Sequence, residues 1–236
     1  MKCYLFCLLF ILLFRFSGTA QRDTLRSEPP GNRSFLTKQI VPLSLITAGS
    51  LLNIGTIKKD IHELFPKTDT QIDDYLQVMP VVQMYLLDAV GVRHRSTVWD
   101  QTKYLALSQL FSGSLVHLLK HTTQVTRPWG GNISFPSGHT AIAFTGATVL
   151  YHEFRESEPL LAWSGYAFAT ATGLLRVTNN AHWLPDVMAG AGIAILTTNL
   201  VYHFEPLSNF QPFKKRKNLT FVPMVTPETI GFQCRF

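Results

Sequence analysis

Residues 134–154 read SFPSGHTAIAFTGATVLYHEF, a turn followed without a break by an apolar run. Pro136 and the Ser137-Gly138 pair punctuate the chain, and from Thr140 to Phe154 no proline interrupts a helix. A turn of this kind aims backbone N–H groups outward at a helix N-terminus, which suits an anion. His139 at that position can donate a proton to whatever sits there. Taken alone, the stretch is equally well an ordinary capped helix start.

The same apolar texture recurs on both sides. Six stretches run Ile40–Ile57, Tyr75–Val92, Tyr104–Leu119, Thr140–Phe154, Leu160–Val177 and Val187–Phe204, each close to the length of a membrane span. They predict an all-α fold: a helical bundle of about six core helices with its chemistry in loops at one end. Polar residues interrupt them, among them Gln77, Gln83 and Asp88 in the second and Gln109, Ser112 and His117 in the third. Facing lipid these would be costly, so the helices are expected to bury them against one another. Small residues in Met188-Ala189-Gly190-Ala191-Gly192-Ile193-Ala194 suit close helix contact, in a membrane bundle or a soluble one.

Composition narrows the class. Apolar residues make up 46% and charged residues 15%, which leans toward a helical protein in or on a membrane, yet the mean hydropathy is only +0.13. A bundle that is polar inside, or one that does not fully span, satisfies both values. The net charge of +6 comes from scattered Lys and Arg, apart from Lys214-Lys215-Arg216-Lys217, so no basic stripe marks a nucleic-acid partner. Attraction to anionic lipids or phosphorylated substrates explains it better.

Residues 1–20 have a Lys2 start, an apolar run and Gly18-Thr19-Ala20, the pattern of a secretory signal peptide, with an uncleaved anchor as the alternative. Residues 21–39 read as an irregular lead segment, 40–204 as the helical domain, and 205–236 as a basic tail with a possible β-hairpin. The three cysteines, Cys3, Cys7 and Cys234, offer neither a disulfide framework nor a zinc pair. Sequons at Asn32, Asn132 and Asn218 are read as chance.

Three clusters carry candidate chemistry. Lys120 is followed after six residues by Arg127-Pro128; Pro136-Ser137-Gly138-His139 comes next; Arg176 then stands with five residues between it and His182 and nine between it and Asp186. Were a helix to begin near His182, Asp186 would lie one turn along, within reach of the imidazole. A carboxylate there fixes the tautomer and strengthens the opposite nitrogen as a nucleophile. His139 has no adjacent carboxylate in the sequence. Three cations, a turn of N–H donors, a carboxylate-backed histidine and a second histidine form an inventory for phosphoryl transfer.

These three motifs, in this order and spacing, resemble the type 2 phosphatidic acid phosphatase superfamily, and the likeness extends over residues 40–204. The resemblance implies a phosphatase in which His182 attacks phosphorus, Asp186 orients it and His139 protonates the leaving alcohol. Lys120, Arg127, Arg176, Ser137 and Gly138 would hold the phosphoryl oxygens. It implies no metal and no cofactor. Leu175 stands where the family has a serine, which removes one hydrogen bond to phosphate and bears on substrate preference. The wording Ile72-Asp73-Asp74-Tyr75-Leu76-Gln77 and Arg176 to Trp183 looks like that of exported members from Bacteroidetes-type bacteria. Lipid A is thus a candidate substrate beside undecaprenyl pyrophosphate, phosphatidylglycerophosphate and phosphatidic acid. Alternatives within the resemblance are a soluble periplasmic acid phosphatase and, more remotely, a vanadium haloperoxidase, although only seven residues separate Pro128 from Pro136. A non-enzymatic membrane scaffold is the reading outside it.

Six alternating spans put all three motifs on one face. Counting Lys and Arg gives twelve residues on the other face against seven here, with Arg155 among the seven, so the positive-inside rule turns the motifs outward. A cleaved signal peptide with strict alternation would turn them inward. The expected location is the cell envelope with the site facing the periplasm, the first stretch not crossing or the whole chain being translocated.

Overall fold

The computed structural model of this chain describes residues 32–204, 220–226 and 229–235. The expected signal peptide lies outside them. Helices α1 (Asn32–Lys38), α2 (Ile40–Leu52), α3 (Ile57–Glu63), α4 (Ile72–Leu76), α5 (Met79–Ala89), α6 (Val98–Thr123), α7 (Gly138–Phe154), α8 (Pro159–Thr178) and α9 (Leu184–His203) follow in order. Strands β1 (Thr220–Thr226) and β2 (Thr229–Arg235) pair antiparallel, with Thr226 opposite Thr229, and form a separate compact unit.

Local chemistry accounts for three of the helix ends. The Thr97 hydroxyl accepts from the Asp100 amide at 3.1 Å and caps α6, while Gln124 in the left-handed region closes it. Pro159 starts α8, where a missing N–H costs nothing. Helix α9 packs on α2, α6 and α7, and α7 packs on α6 and α8. Long helices alternate in direction, so that the loops holding 53–78, 124–137 and 179–183 gather at one end.

Two expectations fail in detail. The stretch Tyr75–Val92 is not one helix: it breaks between Leu76 and Met79, with Pro80 in the first turn of α5, which cannot continue the hydrogen-bond ladder of α4. Residues 32–38, inside the lead segment read as irregular, form α1, and the Phe35 ring stacks on His203 with centroids 3.8 Å apart.

Polar groups are buried beside the apolar core of the bundle, and apolar side chains are exposed outside it. Ser108, Ser112, Thr145, Thr148 and Thr198 are buried. Ser112 and Thr145 hydroxyls meet at 3.1 Å, Gln83 donates to the Leu161 carbonyl at 3.0 Å and the Ser164 hydroxyl at 2.7 Å, and Gln101 donates to Asp88. Burial of the polar residues by their neighbours thus holds for these, but His117 is exposed and turns its ring to His121 one turn on. Large apolar side chains cover the outside, with Leu160 82%, Leu51 62%, Leu110 60% and Phe111 52% exposed. Scattered surface leucines are ordinary, but a belt over α2, α6 and α8 is a surface for lipid or protein. By length and composition, Phe35–Leu52 and Leu184–His203 are long and apolar enough to cross a membrane.

Close approach of α9 to its neighbours depends on glycine. A Cβ on Gly190 would stand 2.5 Å from the Ser137 carbonyl oxygen, and one on Gly192 would stand 2.6 Å from that of Pro42. The small-residue run therefore brings α9 against the turn that opens α7.

Candidate active site

The loop ends bring all the expected residues to one region. Helix α9 begins at Leu184, two residues after His182, and the imidazole Nδ1 still lies 3.4 Å from Asp186 Oδ2. Two features shape the approach: Asn180, at a positive φ, turns the chain at the end of α8, and the Ala181 and His182 amides both donate to the Arg176 carbonyl at 3.1 Å. The Asp186 carboxylate is fully buried and heavily bonded. It accepts from the Ser134 hydroxyl at 2.5 Å, the Trp183 amide at 3.0 Å and the Asn53 side chain at 2.9 Å, and Asn53 is itself held by Lys58 at 2.8 Å. With Nδ1 facing this carboxylate and the Ser134 hydroxyl, Nε2 is the ring nitrogen left for a reacting group.

Ser137, before α7, is buried; its amide donates to the Asp186 carbonyl at 2.9 Å and its hydroxyl accepts from Thr140 at 2.9 Å. The Phe135-Pro136 peptide is cis. Lys120, from the last turn of α6, donates to the carbonyls of Ile133 at 3.0 Å and Ser134 at 3.3 Å, and its Cε lies 4.0 Å from where a Cβ on Gly138 would be. Arg127 is half-buried, its amide tied to the Gly131 carbonyl at 2.6 Å.

A pair of carboxylates from α4 completes the region, and this part was not expected. Asp73, buried, accepts from Arg176 at 2.5 Å and from Asn179 at 2.8 Å, while Asp74 Oδ1 lies 2.9 Å from His139 Nε2 and 3.9 Å from Arg176. His139 thus has a carboxylate partner that its sequence neighbourhood does not show. The partner stands 65 positions earlier, outside any local motif.

Positive charge dominates the electrostatics. Burial, with Arg127 and Arg176 adding like charge, brings the Lys120 ammonium down to about 8. Burial, then Arg176, also lowers Arg127. Burial pushes the His182 imidazole down to about 4 against the pull of Asp186, so its ring is neutral near pH 7. His139 is lowered by burial and by Arg176, with Asp74 pulling the other way. Arg176 Nε is a buried donor with no partner. Crowded cations beside a buried donor without a partner suit an oxyanion. Among the described residues no group of three or more His, Cys, Asp or Glu side chains gathers to hold a metal ion.

Comparison with known proteins agrees with this architecture. Residues 101–210 match the PAP2 superfamily. The chain is 35% identical over 168 residues to the lipid A 1-phosphatase of Porphyromonas gingivalis, covering 69% of this chain and 38% of that protein. It therefore spans well under half the length of that relative. The fold is similar to the crystal structure of LpxE from Aquifex aeolicus, with a TM-score of 0.51, 21% identity, and coverage of 65% of this chain and 99% of that one. A PAP2-type phosphatidylglycerolphosphate phosphatase from Bacillus subtilis matches with a TM-score of 0.43 and 20% identity, covering 78% of this chain and 90% of that one. The matched residues 101–210 span all three clusters, from Lys120 to Asp186, so the part of the chain that carries the candidate chemistry is similar to the PAP2 superfamily.

Proposed function

We propose that the chain is a lipid phosphatase of the cell envelope working through a phosphohistidine. The observation that carries this is a neutral, carboxylate-backed His182 facing a cluster of cations that includes the unpartnered Arg176 Nε. The Nε2 lone pair attacks phosphorus as the bond to the leaving oxygen breaks, and His139 gives that oxygen its proton. Water then attacks phosphorus, the P–N bond breaks, and His139 takes the water's proton, returning both histidines to their starting states. Lys120, Arg127, Arg176 and the Gly138 amide stabilise the equatorial oxygens. Ser137 shapes the turn that presents that amide, since its own hydroxyl is buried against Thr140.

The apolar belt and the 35% identical lipid A 1-phosphatase favour a lipid ester, with lipid A the leading candidate. Alternating helices put Lys38, Arg95 and Arg155 at the end away from His182. Arg155 thus moves from the catalytic count to the other face, which strengthens the case for a periplasmic site. Phosphate release from lipid A, undecaprenyl pyrophosphate, phosphatidic acid and p-nitrophenyl phosphate, measured with EDTA, tests the reading. A lipid substrate turned over in EDTA supports it, release from the small ester alone favours an acid phosphatase, and release abolished by EDTA overturns the mechanism.

Within this scheme Asp74 positions His139 and holds its proton, while Asp73 fixes Arg176 and Asn179. Catalysis needs His182 neutral and His139 protonated, so kcat/KM rises through about pH 4 and falls on the basic side as His139 loses its proton. Asp74 raises the His139 pKa, and Asp74→Asn is expected to move the basic limb to lower pH. Activity then falls several-fold on the basic side of the profile and changes least at its acid end. A uniform loss at all pH values would mean a structural role only.

A further inference from the structure

At the end of the bundle away from His182, α1, α7, α9 and the segment before α6 line a half-open cavity of about 250 Å³. Asp186 and Asn199 stand thirteen residues apart on α9, as do His139 and His152 on α7, so the two sites are about 20 Å apart at 1.5 Å per residue. Lys38, Arg95 and Arg155 line it against one carboxylate, the half-exposed Glu156, which lies 3.8 Å from Arg155. The neighbouring Glu153 is occupied, accepting from Tyr202 at 2.6 Å and from the Ser96 amide at 2.8 Å. The guanidinium of Arg95 lies 6.0 Å over the Tyr202 ring and that of Arg155 lies 5.7 Å over Tyr151. Burial, then the nearby Arg155 and Arg95, lower the Lys38 pKa.

One wall of the cavity carries an unsatisfied polar group. His152 is buried and its Nε2 faces Asn199 Oδ1 at 2.8 Å, yet its Nδ1 has no partner. Three cations around one half-open cavity, with a single half-exposed carboxylate among them, are more than a solvated basic face.

We propose that this cavity is a second anion site, built for a phosphate group carried by an anionic phospholipid headgroup or free in solution. It serves no step of the reaction at His182 and stands whether or not that reaction is as proposed.

A Lys120→Gln/His182→Ala chain, with its main site disabled, isolates the cavity. Inorganic phosphate is titrated into it by calorimetry, and nanodiscs of phosphatidylglycerol or phosphatidylcholine are compared by native mass spectrometry for retained lipid. Retention of phosphatidylglycerol alone identifies a headgroup site, and binding of inorganic phosphate as well identifies a site for the free ion. In either case Arg95→Gln and Arg155→Gln each weaken binding about tenfold, the scale of one charged hydrogen bond. Lys38→Glu, on an exposed helix end, repeats the test without touching the interior and should weaken binding as well. Absence of both ligands, equal retention of phosphatidylcholine, or binding unchanged in variants that melt like the parent would overturn the proposal.

Discussion

His182→Ala is expected to lower phosphate release from every substrate by a factor on the order of 10⁴ or more, and to abolish any labelled phosphoenzyme. No neighbour can take over the attack. Ser134 is tied to Asp186, Asp186 keeps three donors apart from His182, and Lys120 is bonded to two carbonyls. The cations remain, so substrate should bind the variant without turnover. Because His182 is buried, alanine leaves a void, and His182→Gln provides a fuller replacement that keeps a polar group near Asp186. Phosphate trapped on the parent protein should be acid-labile and stable to base, as a P–N bond is. Either variant retaining a tenth of the activity while folded would remove His182 from the role of nucleophile.

His139→Ala should divide substrates by their leaving groups. An alkoxide from a lipid or sugar needs a proton as it departs, and losing the acid is expected to cost about 10²–10⁴ in rate. p-Nitrophenolate leaves without help, so phosphorylation of His182 by that ester should continue. Water attack then lacks its base, and phosphoenzyme accumulates. The expected record is a burst of nitrophenol equal to the enzyme present, followed by a slow steady rate. Equal losses for both substrates, with no burst, would assign the proton transfer elsewhere.

The parts of this protein that could be read from the sequence are those written locally. A turn, an apolar run and a fixed spacing place His182 and Asp186 one helical turn apart, and the structure keeps them in contact although α9 starts two residues later. The partners of Arg176 and His139 could not be read in this way. Asp73 and Asp74 stand 103 and 65 positions away, and Ser134 stands 52 from Asp186. The one available sign was two adjacent carboxylates at the start of a short helix, a common surface feature. The break between α4 and α5 was also concealed, since the apolar texture runs through Val78 and Met79 while Pro80 acts only on the hydrogen-bond ladder. Arg155 was misplaced for a simpler reason: the loop after α7 belongs to the same end as the loop before α6.

The outward leucines of α2, α6 and α8 bear on how often a substrate is met. A protein seated in a bilayer by such a surface shares two dimensions with a lipid substrate, and its encounters are lateral. Collision frequency then follows the mole fraction of that lipid in the leaflet, not its amount per litre. A small site with modest intrinsic affinity can remain near saturation there, because every neighbour within one lipid diameter is already at the right depth and orientation.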